Sequence, residues 1–183
     1  MLTAQSHPRL DTSVRSHRSS IQSHSGNLTV RPLNPCDVYF VRSLAAELPG
    51  FTIPSEYELW MLRRFDSKTC RIAEADGRGP IGYLLARAIP ESHELFIWQL
   101  ACTTLKGGNI RAAKLLGEFV KAYCLETDIQ RIRFTMIPGS PRERAIFSLS
   151  IEILGHRPSV MPADISAQFG LCDDREYVIS ITS

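Results

Sequence analysis

No apolar run in this chain of 183 residues approaches the roughly 20 residues that a membrane-crossing helix requires, so no membrane partner is expected. Closely spaced cysteines are missing as well. Cys36, Cys70, Cys102, Cys124 and Cys172 are odd in number, widely separated and form no C-x-x-C, which argues against a disulfide framework and against a zinc site. They read as small apolar core residues in a reducing compartment, with the cytoplasm as the expected location. Nor does the main part of the chain carry an excess of either charge. The net charge of +2 resides in residues 1–27, where Arg9, Arg15 and Arg18 face Asp11 alone; the remainder holds 18 basic and 18 acidic groups. A neutral body lacks the basic face with which a nucleic-acid binder displaces counterions. A G-x-S-x-G elbow is absent, and the glycines of a dinucleotide fingerprint do not follow the first strand, which excludes the common serine hydrolases and Rossmann enzymes.

What is present divides into a tail and one domain. Residues 1–27 hold seven serines, three histidines (His7, His17, His24) and few apolar side chains, a composition expected to stay unfolded. The segment loosely resembles an organelle transit peptide, but only Leu10, Val14 and Ile21 are available for an apolar stripe. Residues 28–183 are of a length for a single domain. Leu28–Arg31 alternates as a strand, and Asn34-Pro35 opens a helix carrying Val38, Val41, Leu44, Ala45 and Leu48. A second helix starts near Ser55, with Tyr57, Trp60 and Met61 on one side. Thr69–Ala75 and Ile81–Ala88 read as a hairpin around Asp76-Gly77, and Leu95–Cys102 as a central strand covered on both faces. A helix from about Ile110 to Cys124, a strand at Ile132–Met136, a helix from Pro141 and a strand at Tyr177–Ile181 follow, with one more short strand expected near Pro158–Val160. The fold class is α/β (α+β): a mixed, largely antiparallel sheet flanked by helices, in the order β-α-α-β-β-β-α-β-α-β.

The junction Leu100-Ala101-Cys102-Thr103-Thr104-Leu105-Lys106-Gly107-Gly108-Asn109 feeds a buried strand through glycines into a helix. Such a turn either simply redirects the chain or aims backbone amides and a helix N-terminus at an anion. The element order and this junction resemble the GNAT N-acetyltransferases. That resemblance implies acetyl-CoA as co-substrate, held by the backbone of Leu100, Ala101 and Cys102 and by the following loop, whose usual pattern is [RQ]-x-x-G-x-[GA]. In register, Gly107 takes the arginine position, Gly108 lies at or beside the first glycine, Ile110 replaces a later glycine and Ala112 keeps the small residue. Ile110 there either obstructs a pyrophosphate, or the loop shifts so that Lys106, Gly107, Gly108 and Asn109 form the cradle.

Longer stretches narrow the resemblance. Leu62-Arg63-Arg64-Phe65, Thr69-Cys70-Arg71-Ile72-Ala73-Glu74, Phe96-Ile97-Trp98-Gln99-Leu100-Ala101 and Arg144-Ala145-Ile146-Phe147 are similar to the diaminobutyrate acetyltransferases of ectoine synthesis, in the same order. The resemblance implies transfer of acetyl to the side-chain amine of a small diamino acid such as L-2,4-diaminobutyrate, by a homodimer. It puts Thr52 and Ser55 in the substrate segment, with threonine in place of an aspartate, and Ser140 in place of an asparagine. Glu176, in the acidic stretch Asp173-Asp174-Arg175-Glu176, becomes the candidate for substrate contact and proton acceptance. In a regular strand Trp98 and Gln99 point to opposite faces, Trp98 walling the substrate pocket and Gln99 orienting the amine or a water. Many GNAT enzymes protonate the leaving thiolate with a tyrosine at the place where this chain has Phe147. These departures also support a second hypothesis, a degenerate GNAT domain that binds an acyl-CoA or amino acid without turnover.

Overall fold

Leu28–Pro32, with Leu28 and Val30 partly buried against the core, forms β1 and opens the sheet. The computed structural model describes residues 27–103, 108–136, 139, 141–161 and 175–181; residues 1–26 of the expected tail and Asp173, Asp174 and Cys172 lie outside them. The helix expected from Asn34 is split. Pro35–Asp37 is a 3-10 turn, and α1 (Val38–Glu47) starts only after it. Asp37 explains the break: its carboxylate accepts from the Asn34 amide at 2.8 Å and pairs with both terminal nitrogens of Arg31 at 2.7 and 2.8 Å. Gly50, at a φ of 72°, follows the end of α1 and permits the left-handed turn that proline and other residues resist.

Ser55 caps α2 (Glu56–Phe65) in a reciprocal box, its hydroxyl accepting from the Glu58 amide while Glu58 accepts from the Ser55 amide. The buried side of α2 is Leu59 and Leu62. Tyr57 and Trp60, which the sequence pattern placed together on one side, are largely exposed and stack on each other instead.

The strands β2 (Arg71–Ala75), β3 (Gly79–Ile89) and β4 (Glu94–Cys102) form the expected meander. Helix α3 (Gly108–Glu126) leads to β5 (Arg131–Met136), and α4 (Pro141–Leu154) to the short β6 (Ser159–Val160) and β7 (Arg175–Ser180). The seven strands lie in the order β1-β2-β3-β4-β5-β7-β6, antiparallel except for β4 and β5.

Each face of the sheet has its own core. On one, Leu84, Ala86, Leu95, Ile132 and Ile179 pack against Ala112, Leu116, Val120 and Cys124 of α3. On the other, Ile72, Tyr83, Leu85 and Ala101 pack against Val41 and Leu44 of α1 and Leu59 and Leu62 of α2. Cys70 and Cys124 are buried as expected, but Cys36 is exposed because it sits in the 3-10 turn ahead of α1. Among the described residues, no helix is long and apolar enough to cross a membrane.

Candidate active site

The pairing of β3 with β4 breaks step at one place: Leu85 lies opposite Gln99 and Ala86 opposite Ile97, so Trp98 has no counterpart. An extra residue of this kind is a β-bulge, which kinks its strand and re-aims the neighbouring side chains. Leu95 and Ile97 face α3 before the bulge, and Leu100 and Cys102 face it afterwards. Trp98 and Gln99 both fall on the α1–α2 face, Trp98 packing into that core and Gln99 bonding Tyr83 within it. The expectation that they point to opposite faces is therefore corrected; it assumed a regular strand.

Beyond the bulge β4 also loses its other neighbour. The β4–β5 ladder ends at Ile97 opposite Phe134, although β4 continues to Cys102. Two parallel strands that part in this way leave a cleft, and one edge of the Trp98–Cys102 backbone lines it without a β5 partner. Backbone amides held in place by the β3 ladder are preorganised donors and acceptors for an extended ligand or for a developing negative oxygen. Gly82, paired with Cys102, allows the strands to close up at this end: a Cβ there would stand 2.8 Å from the Cys102 sulfur and 3.0 Å from the Ala101 carbonyl oxygen.

On the α1–α2 side the cleft is shaped by a bonded chain. The Tyr83 hydroxyl donates to the Gln99 side-chain oxygen at 3.0 Å, and the Gln99 amide nitrogen donates to the Thr52 carbonyl at 2.7 Å. Burial raises the Tyr83 pKa, so the phenol stays protonated as a donor. Thr52 thus enters through its backbone while its side chain is exposed, and Ser55 serves as the cap of α2. Phe51, next in the same loop, carries the Arg142 guanidinium over its ring at 4.0 Å, and Arg142 also donates to the Pro49 carbonyl. Helix α4 is in this way tied across to the α1–α2 loop.

Glu176 lies opposite Thr135, one position beyond the Phe134 that pairs with Ile97, on the strand face that Arg133 shares. It is only 8% exposed and accepts from Arg133 at 2.6 Å. Arg133 reaches Glu94 as well, at 3.1 Å, and Arg131 joins Glu94 from the same strand. The candidate proton acceptor is thus one end of an ion-pair ladder across β4, β5 and β7, a role the sequence pattern did not reveal because its members lie far apart in the chain.

Of the expected cofactor residues, Leu100, Ala101 and Cys102 do line the parted strand. Burial pushes the Cys102 thiol up to about 12, so it is no nucleophile at neutral pH. Gly108 and Asn109 are the first positions of α3, and Ala112 is fully buried beneath the sheet, where its small side chain serves packing. Ile110 is 67% exposed on the first turn of the helix. Lys106, Gly107 and Ser140 lie outside the described residues. Two residues that the motifs did not single out, Arg142 and Tyr83, belong to the site through contacts spanning 93 and 16 residues in sequence.

The fold as a whole is similar to that of solved structures. A diaminobutyrate acetyltransferase from Paenibacillus lautus, solved with L-2,4-diaminobutyric acid and coenzyme A, superposes with a TM-score of 0.66 over 85% of this chain and 96% of its own, at 21% identity. The chain has the GNAT N-acetyltransferase fold. Other GNAT-fold neighbours are more distant in sequence. Ard1 from Thermoplasma volcanium gives a TM-score of 0.65 at 13% identity, over 85% of this chain and 99% of its own. N-acetylglutamate synthase from Neisseria gonorrhoeae, solved with coenzyme A and N-acetyl-glutamate, gives 0.63 at 13% identity over 86% of this chain and 36% of its own. No protein-family model matches the sequence, and no curated protein does.

Proposed function

We propose that this chain is an N-acetyltransferase that moves acetyl from acetyl-CoA to the side-chain amine of a small diamino acid, with L-2,4-diaminobutyrate as the first candidate. The observation that carries the reading is the parted β4–β5 pair beyond the Trp98 bulge. Its open backbone edge fits an amide-bearing pantetheine arm, and its amides fit a thioester oxygen. The start of α3 beyond Cys102 suits a pyrophosphate, since helix N-termini present amides and partial positive charge. Support for the acceptor comes from the Phe96-Ile97-Trp98-Gln99 stretch and from the neighbour solved with the diamino acid.

In the reaction the free amine bonds to the acetyl carbon, the carbon–sulfur bond breaks and coenzyme A leaves as its thiol. The amine must first lose a proton, because with a pKa near 10.4 it is almost wholly charged at neutral pH, at a cost of roughly 4 kcal/mol. Glu176, on the cleft face near the level of Trp98, receives that proton through water in this reading, with Arg133 fixing its position. Trp98 walls the acceptor pocket, and Gln99 positions the Phe51-Thr52 loop against it. The thiolate is a good leaving group, so Phe147, which packs edge-on against Tyr177, need not act as an acid.

The test is to incubate the full chain with acetyl-CoA and a panel of primary amines, reading acetylated product by mass spectrometry. A thiol dye is unsuitable because Cys36 is exposed. Acetyl-diaminobutyrate is the expected product; no product from any amine would overturn the enzyme reading. A homodimer, expected from the resemblance, is checked by sedimentation of the same sample.

A further inference from the structure

Arg142 is held at some cost. It occupies the second position of α4, in the first turn, where the helix dipole disfavours a cation. Burial lowers its pKa, a sign that its charge is partly desolvated, and no carboxylate among the described residues lies within ion-pair distance of it. Arg133, by contrast, pairs with Glu94 and Glu176. What the described residues give Arg142 is the Phe51 ring and the Pro49 carbonyl, both from the α1–α2 loop, and neither neutralises a charge. Its charge also acts on the Tyr83 phenol, which bonds Gln99 at the bulge. The cation is therefore tied to the loop that carries Thr52, stacked and directed, and without a counter-charge among the described residues.

We propose that Arg142 is a specificity residue whose guanidinium binds the carboxylate of the acceptor, selecting amino acids over simple diamines. The inference rests on the acetyltransferase reading above and deepens it. A guanidinium has five N–H donors in a planar fork and binds a carboxylate through two of them, while its face stays on an aromatic ring. Phe51 and Pro49 hold the plane of the fork, so little rotational freedom is lost when the anion arrives. The acceptor's own anion then supplies the counter-charge that the described residues do not.

The decisive comparison is between L-2,4-diaminobutyrate and 1,3-diaminopropane, which differ by the carboxylate. Calorimetric titration into the full chain in the presence of coenzyme A reads binding without turnover. Wild type is expected to bind the diamino acid at least about ten-fold more tightly than the diamine, as suits one charge-assisted pair. Arg142→Ala should remove most of that preference, Arg142→Lys should restore part of it, and coenzyme A affinity should stay within about two-fold. Equal binding of the two amines by wild type would overturn the inference. So would an equal loss for both amines in Arg142→Ala, which would mark a purely structural latch, or a selective loss of coenzyme A affinity, which would mean that the anion belongs to the cofactor. Intact discrimination without acetyl transfer would overturn the function and leave the carboxylate site standing.

Discussion

Gln99 commits both ends of its amide, one to a phenol on β3 and the other to a backbone carbonyl in the α1–α2 loop. Gln99→Ala leaves the buried Tyr83 phenol and the part-buried Thr52 carbonyl without their partner and should cost about 1–3 kcal/mol in denaturant unfolding. It should also raise the acceptor KM, while the variant Gln99→Glu, which cannot donate to Thr52, restores neither property. Glu176 is a different case, since a stability change alone would not separate its place in the ladder from proton acceptance. Its test is the pH profile. Glu176→Gln is expected to lower kcat/KM about 100-fold near pH 7.5, with the gap to wild type narrowing as alkaline solution supplies free amine. A gap that stays constant from pH 7.5 to 10 would confine Glu176 to the ladder.

At the scale of elements, the bulge of β4 and the parting of β4 from β5 create the cleft together, and glycine sets how closely its parts approach. Gly82→Ala places a methyl within 3.0 Å of the Ala101 carbonyl oxygen, and backbone cannot swing aside as a side chain can. A loss of about 1–3 kcal/mol is expected, together with weaker coenzyme A binding, because the displaced segment lines the cleft. Gly117 on α3 makes the contrasting case. Its added Cβ would meet the terminal methyl of Ile153, the far end of a side chain that can turn away. The gain in helix propensity then offsets the crowding, and Gly117→Ala should stay within about 1 kcal/mol of wild type. Thermal unfolding of the two variants side by side checks both.

For the whole molecule, two apolar cores on opposite faces and the ion-pair ladder through Arg133 help to hold the sheet together. Arg133 bridges β4 and β7 through carboxylates that are both nearly buried, and Arg133→Ala would leave these without their shared cation, at a cost of about 3–5 kcal/mol. The cores also set an alkaline limit. Burial pushes the Cys70 thiol up to about 11 and the Cys102 and Cys124 thiols up to about 12. Unfolded, these thiols ionise near pH 9, so above that pH the unfolded state binds fewer protons than the native one. Their contribution is therefore complete below pH 9 and is lost as the pH rises towards 11–12. Denaturant midpoints measured from pH 8 to 11 should fall steadily, and less so in a Cys124→Ala variant than in wild type.

Periodicity and turn residues were enough to read the elements. Alternation marked the strands, Asp76-Gly77 marked a hairpin, Ser55 marked a helix start and Pro141 another. These signals are local: they depend on how a side chain bonds or packs within a turn or two of its own backbone. The order of the elements and the glycine junction after Cys102 also pointed correctly to the GNAT fold. Register, by contrast, is a relation between strands, and no pattern in β4 alone showed that Trp98 is the extra residue that brings itself and Gln99 to one face. The same holds for partners distant in sequence. That Glu176 is held by Arg133, that Thr52 contributes a carbonyl and that Arg142 crosses from α4 to the α1–α2 loop were decided only when the sheet and its helices closed. The sequence alone determined which segments form elements and which faces are apolar, because those are properties of neighbouring residues. Tertiary structure decided which polar groups meet, because a buried donor takes whatever acceptor the folded chain brings within about 3 Å.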